Sequence, residues 1–177
     1  MPQLHRPSRL GALLLWAAFS SGLLSCGYRM GATGSGACAE LRTVSVPLFA
    51  NESLEPRLED VLTQAFRDRF SASGLKLGSA DAAEAVLRGT VRSVVVTPVA
   101  VNEDFLAMEY MAHVAVSFSL QRKSDGKVLW RADRVEEETR FYASSDALLF
   151  RDNREEALLR LSRKMSDRVV DQILFGF

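Results

Sequence analysis

The sequence predicts an α+β domain in two layers, with two amphipathic helices packed on one face of a mostly antiparallel sheet of four to five strands. Three observations carry this. Apolar residues recur at helical spacing from Leu54 to Phe70 and again from Leu158 to Ile173. Between these runs Met108, Tyr110, Ala112, Val114, Val116, Phe118 and Leu120 alternate with the period of two that a half-buried strand requires. Asp125-Gly126 then supplies the dipeptide of a tight hairpin. Elements with one apolar side each bury it most simply as helices on a sheet.

Taken in order, Leu41 to Pro47 alternates like a strand, and Pro47 stops it. Ser53 is a candidate helix cap, with Glu52, Glu55, Glu59 and Asp60 complementing the positive end of the helix dipole. Pro56 suits a first turn, where its missing amide hydrogen is not needed. Leu54, Leu58, Val61, Leu62, Ala65, Phe66 and Phe70 mark the buried face, and Gly74 is a left-handed stop. Leu75 to Leu77 is a short strand. Ala85 to Thr97 is a longer one, with Leu87, Gly89, Val91 and Val95 inward, Pro98 at its end and Val99 to Asp104 as the return. Thr90, Arg92, Ala115, Ser117 and Ser119 fall on the outward side of the two central strands. After the Lys123–Lys127 turn, Val128, Trp130 and Ala132 face inward on a last strand reaching about Tyr142. The closing helix carries Leu158, Leu161, Met165, Val169 and Ile173, widened by Leu159 and Val170. Its cap is Asp152 or Asn153, or lies earlier, near Ser145 or Asp146.

The N-terminus predicts a compartment. A basic head (His5, Arg6, Arg9) and a short apolar run from Leu10 to Phe19 precede Leu23-Leu24-Ser25-Cys26, which reads as a lipobox. The expected organisation is a lipoprotein signal peptide over 1–25, an acylated Cys26 with a flexible Gly-rich tether over 26–40, and the folded domain over 41–177. The alternative is a signal peptide cleaved elsewhere, leaving Cys26 an ordinary core cysteine. The apolar run is too short for a membrane-spanning helix. With Cys26 acylated, Cys38 has no partner within the chain, so it is an incidental free thiol or the site of a mixed disulfide. Of the 22 basic and 22 acidic residues, Arg6 and Arg9 leave with the signal peptide, so the remainder carries 20 against 22, a formal charge of −2. A dedicated nucleic-acid binder shows a basic excess instead.

Catalytic and metal chemistry find no support. His113 is the one histidine left after cleavage and has no Cys or His at a ligand spacing. No G-x-S-x-G elbow occurs, and the Gly-rich tether lacks the Lys-Ser/Thr of a phosphate loop. In Glu136-Glu137-Glu138 the outer two share a strand face while Glu137 points away, so the run reads as a solvated edge rather than a carboxylate pair. The expectation is a protein that is not an enzyme and has no cofactor.

Several segments stand in a telling order and spacing: Cys26-Gly27-Tyr28-Arg29, Arg42 to Phe49, Asn51 to Leu62 and Ala85 to Val91. Glu109-Tyr110, Gly126 to Trp130 and Asp152 to Ala157 complete the set. Taken together they resemble the LptE family of lipopolysaccharide-assembly lipoproteins. The resemblance implies an outer-membrane lipoprotein of Gram-negative envelopes that partners and plugs the LptD β-barrel, assists its assembly and helps deliver lipopolysaccharide to the outer leaflet. Gly27 lacks the Asp that retains many lipoproteins in the inner membrane, which favours the same placement. A small, polar outward sheet face suits a barrel interior, or is simply wet. Lipopolysaccharide phosphates pair with Arg and Lys. Arg151 matches the family's basic position ahead of the last helix, whereas Asn102-Glu103-Asp104 departs from its basic loop, and Arg122, Lys123 and Lys127 at the hairpin are the candidate substitutes. The runner-up reading is an accessory or regulatory lipoprotein of a cell-wall synthase or lipid ABC transporter. A cell-envelope hydrolase is a third.

Overall fold

The structure, a computed structural model, describes residues 41–104 and 106–176. The lipobox, Cys26, the tether and Cys38 lie outside them. The described elements are β1 (Thr43–Ser45), β2 (Ala50–Asn51), α1 (Leu58–Ala72), β3 (Lys76–Leu77), β4 (Ala85–Val101), β5 (Ala107–Arg122), β6 (Val128–Tyr142) and α2 (Ala147–Phe175). They form one six-stranded sheet in the order β3-β1-β4-β5-β6, with β2 also on β4.

The sheet is mixed, which corrects the antiparallel expectation and the strand count. β4, β5 and β6 are an antiparallel meander, but β1 lies parallel to β3 and β4, and β2 parallel to β4. The parallel pair β1 and β3 is joined through α1, since parallel neighbours need a crossover. β1 and β3 were expected as strands, and the added one is β2, whose two residues are too few to show an alternation.

Both helices share one core with one sheet face. Leu62, Phe66 and Phe70 of α1 and Leu161, Met165 and Val169 of α2 join Leu87, Val91, Val114, Val116 and Leu120. At its centre Phe49 packs edge-on to Phe66 and Phe118, with ring centroids 5.3 and 5.7 Å away. Gly89 lies directly beneath Phe49, where a Cβ would stand 2.8 Å from the ring. Thr63 fixes the same segment, its Oγ1 accepting from the Phe49 N–H at 3.0 Å and donating to the Glu59 carbonyl at 2.6 Å. Across the helices, Arg69 bridges Asp167 (3.0 Å) and Asp171.

Of five register shifts in the meander, two exchange the faces of long strand segments. Val91 pairs with Val116 and Ser93 with Ala115, leaving Arg92 as an extra residue on β4. The inward set therefore switches from Leu87, Gly89 and Val91 to Val94 and Val96, opposite Val114 and Ala112. Val95, expected inward, is turned outward and is 50% exposed. On β6 the register jumps between Ala132 and Val135, so Trp130 and Ala132 are followed inward by Val135, Glu137 and Phe141. Val128 is exposed, against expectation.

Pro98 does not end β4, which runs on to Val101 with Pro98 opposite Tyr110. The start of α1 also differs. Arg57, at φ 65°, precedes Leu58, and no side chain caps the helix. Ser53 instead closes a local turn, accepting from Glu55 N at 3.2 Å while Asn51 Oδ1 accepts from Ser53 N at 2.9 Å. Leu54 is consequently fully exposed rather than on the helix face. Gly74 (φ 88°) and Gly126 (φ 68°) are left-handed where the chain turns, as expected. For α2 the cap is Asp146, whose carboxylate accepts from Leu148 N and Leu149 N at 2.8 and 3.2 Å.

Candidate functional site

The expected cations fall at two separated places. Arg122, Lys123 and Lys127 stand at the β5–β6 hairpin, beside the start of β4: Lys123 N donates to the Glu84 carbonyl at 2.8 Å. Arg151 is in the second turn of α2, at the other end of the meander, where Asn153 donates to the Tyr142 carbonyl at 3.1 Å. The length of β5 between the two ends is about 50 Å at ~3.3 Å per residue. One headgroup cannot touch both.

Most of these cations already have partners. Arg122 Nη1 is 3.4 Å from Asp125, Lys123 Nζ donates to the Asp81 carbonyl at 2.5 Å, and Arg151 lies 3.3 Å from Asp152 and 3.9 Å from Glu155. The Lys127 side chain has none among the described residues. Its backbone N–H donates to Asp125 Oδ1 at 3.1 Å and, with the Arg122 guanidinium, holds the Asp125 carboxyl below its usual value. The hairpin is thus pre-ordered, with its exposed cation on one side.

The sheet face away from the helices is polar. Arg88 donates to Gln121 at 2.7 Å, Arg92 to Ser117 at 3.0 Å and to Glu52 at 2.7 Å, and His113 sits 3.4 Å from Glu138. Thr90, Ser117 and Ser119 are half-buried there, as expected of that face. Ala115 is an exception: it is buried at the register shift where Ser93 pairs with it. His113, Val95, Ser93, Arg134 and Glu138 border a hollow of 500 Å³. Among the described residues no three His, Cys, Asp or Glu side chains are grouped as a metal ion requires.

The acidic run on β6 departs from expectation at one residue. Glu137, read as part of a solvated edge, has a side chain only 3% exposed, with Lys164 and Arg168 of α2 each 2.8 Å from its carboxylate. The bulge after Ala132 turns it toward α2. Arg168 also donates to the Glu136 carbonyl at 2.7 Å, Arg160 to that of Arg140 at 3.2 Å, and Asn153 to that of Tyr142. Three carbonyls of the β6 edge are thereby capped from the helix. A signal for this exists in the sequence: Lys164 and Arg168 are four residues apart and flank the apolar stripe of α2.

Two helices on one face of an open mixed sheet make a fold similar to that of solved bacterial lipoproteins. The rare lipoprotein B of Shewanella oneidensis matches with a TM-score of 0.53 and 17% identity over 73% of this chain and 92% of its own. A lipoprotein of Caulobacter crescentus matches with a TM-score of 0.50 and 12% identity over 71% and 87%. At these identities the likeness shows the fold. The chain belongs to the LptE lipopolysaccharide-assembly family, whose pattern matches residues 41–173, from just before β1 almost to the end of α2. No curated protein matches the sequence. Among the described residues no helix is long and apolar enough to cross a membrane.

Proposed function

We propose that this protein is a non-enzymatic outer-membrane lipoprotein, anchored through acylated Cys26 after removal of residues 1–25, that partners an LptD-like β-barrel. Its domain sits on the periplasmic side and rises into the barrel lumen on the 26–40 tether. There it plugs the barrel, assists its assembly and helps deliver lipopolysaccharide to the outer leaflet. The observation that carries this is the family match across the whole folded domain. Physical features support it. A barrel interior is polar, and the uncovered sheet face offers Thr90, Arg92, Ser117 and Ser119 along its central part. Lipopolysaccharide phosphates would pair with Arg151 at one end of the sheet or with Arg122, Lys123 and Lys127 at the other. A single acyl chain anchors only marginally, whereas a fully processed lipoprotein cysteine carries three.

The test is recovery of the tagged full chain from membranes in mild detergent, with identification of companions present in equal amount. A large outer-membrane barrel is expected. Recovery of a cell-wall synthase or a transporter alone overturns the reading.

A further inference from the structure

The two edges of the sheet are treated in opposite ways. The β6 edge is guarded: Asn153, Arg160 and Arg168 occupy three of its carbonyls, and the Arg131–Asp133 and Arg134–Glu136 ion pairs (2.6 and 2.5 Å) charge it around the bulge. Such devices block edge-to-edge pairing. The β4 edge is covered by β1 at Ala85 and Val86 and by β2 at Thr90 and Val91, and Glu52 N donates to the Val91 carbonyl at 2.9 Å. Beyond that point β4 continues for ten residues with β5 on one side and, among the described residues, nothing on the other.

Which groups face the gap follows from chirality. In a strand, the side-chain face and the direction of a residue's N–H and C=O are linked, so residues sharing a face turn their backbone groups to the same side. Val91 is inward and its carbonyl points to the β2 side. Val94 and Val96, also on the helix side, therefore present their N–H and C=O to the open edge. Pro98, next in that series, has no N–H to offer and ends the run. The stretch Ser93–Val101 carries no charge, and of its five valines Val95, Val99 and Val101 are exposed. At the hairpin tip beyond it Glu103 and Asp104 have no cationic partner among the described residues.

We propose that the β4 edge from Ser93 to Thr97 is a strand-docking site for a protein partner, taking an extended, alternately apolar segment with a Lys or Arg that reaches Glu103 and Asp104. The segment extends the line of β1 and β2 along β4, so main-chain bonds to Val94 and Val96 supply affinity and the acidic tip supplies direction. An anionic glycolipid fits neither feature, because it brings no main-chain partners and its phosphates are repelled at the tip. Two copies of this chain fit poorly, since antiparallel self-pairing centred on Val95 would run Val99 and Ala100 of each copy into the place that β2 occupies beside Val91 and Thr90 of the other. The assignment to the barrel protein, through a segment outside the barrel wall, rests on the reading under Proposed function.

The test is amide hydrogen exchange on the full chain, alone and in its detergent-extracted complex with the barrel protein. Exchange at Val94 and Val96 is expected to slow at least tenfold in the complex while Val95, already paired to β5, changes little. In parallel Val96→Pro, which removes one open-edge N–H, should weaken association about fivefold, the worth of one main-chain hydrogen bond. Glu103→Lys with Asp104→Lys should weaken it through charge. A complex that forms normally without added protection at Val94 and Val96 overturns the docking site and leaves the barrel reading standing. Failure of the wild-type chain to bind any barrel overturns both. Protection that grows with concentration in the chain alone, with a dimer mass, overturns the choice of partner. The exchange measurement is made on the wild type, so it decides the matter even where Val96→Pro fails to fold.

Discussion

Gly89→Ala tests whether the contact between Phe49 and β4 organises the fold around β2. An added Cβ would lie 2.8, 2.9 and 2.9 Å from three atoms of the Phe49 ring. Carbon atoms sit comfortably at about 3.5–4.0 Å, so the ring must retreat by roughly 0.7 Å. It has little room, being held edge-on by Phe66 and Phe118, with its own backbone N–H bonded to Thr63. Overpacking of this kind costs about 1–3 kcal/mol, or roughly 4 °C of Tm per kcal/mol for a domain of this size. Phe49→Ala alone should cost about 3–5 kcal/mol through the cavity it leaves. In that background Gly89→Ala should be neutral or stabilise by about 0.5–1 kcal/mol, since alanine is the better strand residue once the ring is gone. Urea denaturation of the four proteins, followed by circular dichroism, gives the coupling. An equal cost for Gly89→Ala with and without the ring refutes the argument, because the damage would then lie in the backbone and not in the contact.

Removing both cations around Glu137, by Lys164→Ala with Arg168→Ala, should destabilise by about 2–3 kcal/mol. That is below the 3–5 of a fully buried pair because both cations are half-exposed; Glu137→Leu, which removes the charge instead, should cost under 1.5 kcal/mol by the same denaturation assay. For Asp125 the folded pKa lies below the unfolded one, near 3.8, so its contribution is present above that value and is lost as pH falls through the lower folded pKa. NMR titration should place its midpoint below that of the exposed carboxylates, and Asp125→Asn should abolish the transition felt at the Lys127 amide. Arg151→Glu and the pair Lys123→Glu with Lys127→Glu should each lower lipopolysaccharide binding by the purified domain only if that end is a contact. With about 50 Å between the ends, their effects on one bound molecule cannot both be large, and a loss at both ends should coincide with a stoichiometry of two.

The legible parts of this fold were those with a long, unbroken period. The alternation of Met108 to Leu120, the Asp125-Gly126 turn and the stripe of Leu158 to Ile173 all correspond to observed elements. What failed was parity. The single extra residue Arg92 exchanges the two faces of β4, so Val95 moves outward and Val94 and Val96 inward, and a period-two reading carried across a bulge reverses itself without notice. The bulge on β6 does the same to Glu137. The hairpin cations were visible from the turn chemistry, but their distance from Arg151 was not, because it depends on three strands of the meander running their full length. The α1 start was misread for a different reason: Ser53 and Asn51 satisfy each other in a local turn, which competes with capping.

Element lengths explain why one edge is guarded and the other is bare. α2 spans 29 residues, about 43 Å at ~1.5 Å per residue, close to the roughly 50 Å of the fifteen-residue β6 at ~3.3 Å. A helix that matches its neighbouring strand can reach edge carbonyls along much of its length, as Asn153, Arg160 and Arg168 do at Tyr142, Arg140 and Glu136. α1 spans 15 residues, about 22 Å, beside a β4 of 17 residues and about 56 Å. It can serve less than half of that strand, and β1 and β2 cover only the same half. The bare stretch from Ser93 onward lies beyond the start of α1, because the helix follows β2 at the Val91 end of β4 and runs back toward β3, beside β1 at the Ala85 end. A 29-residue helix guards one edge, while the other leaves Val95, Val99 and Val101 exposed and its main-chain groups open among the described residues.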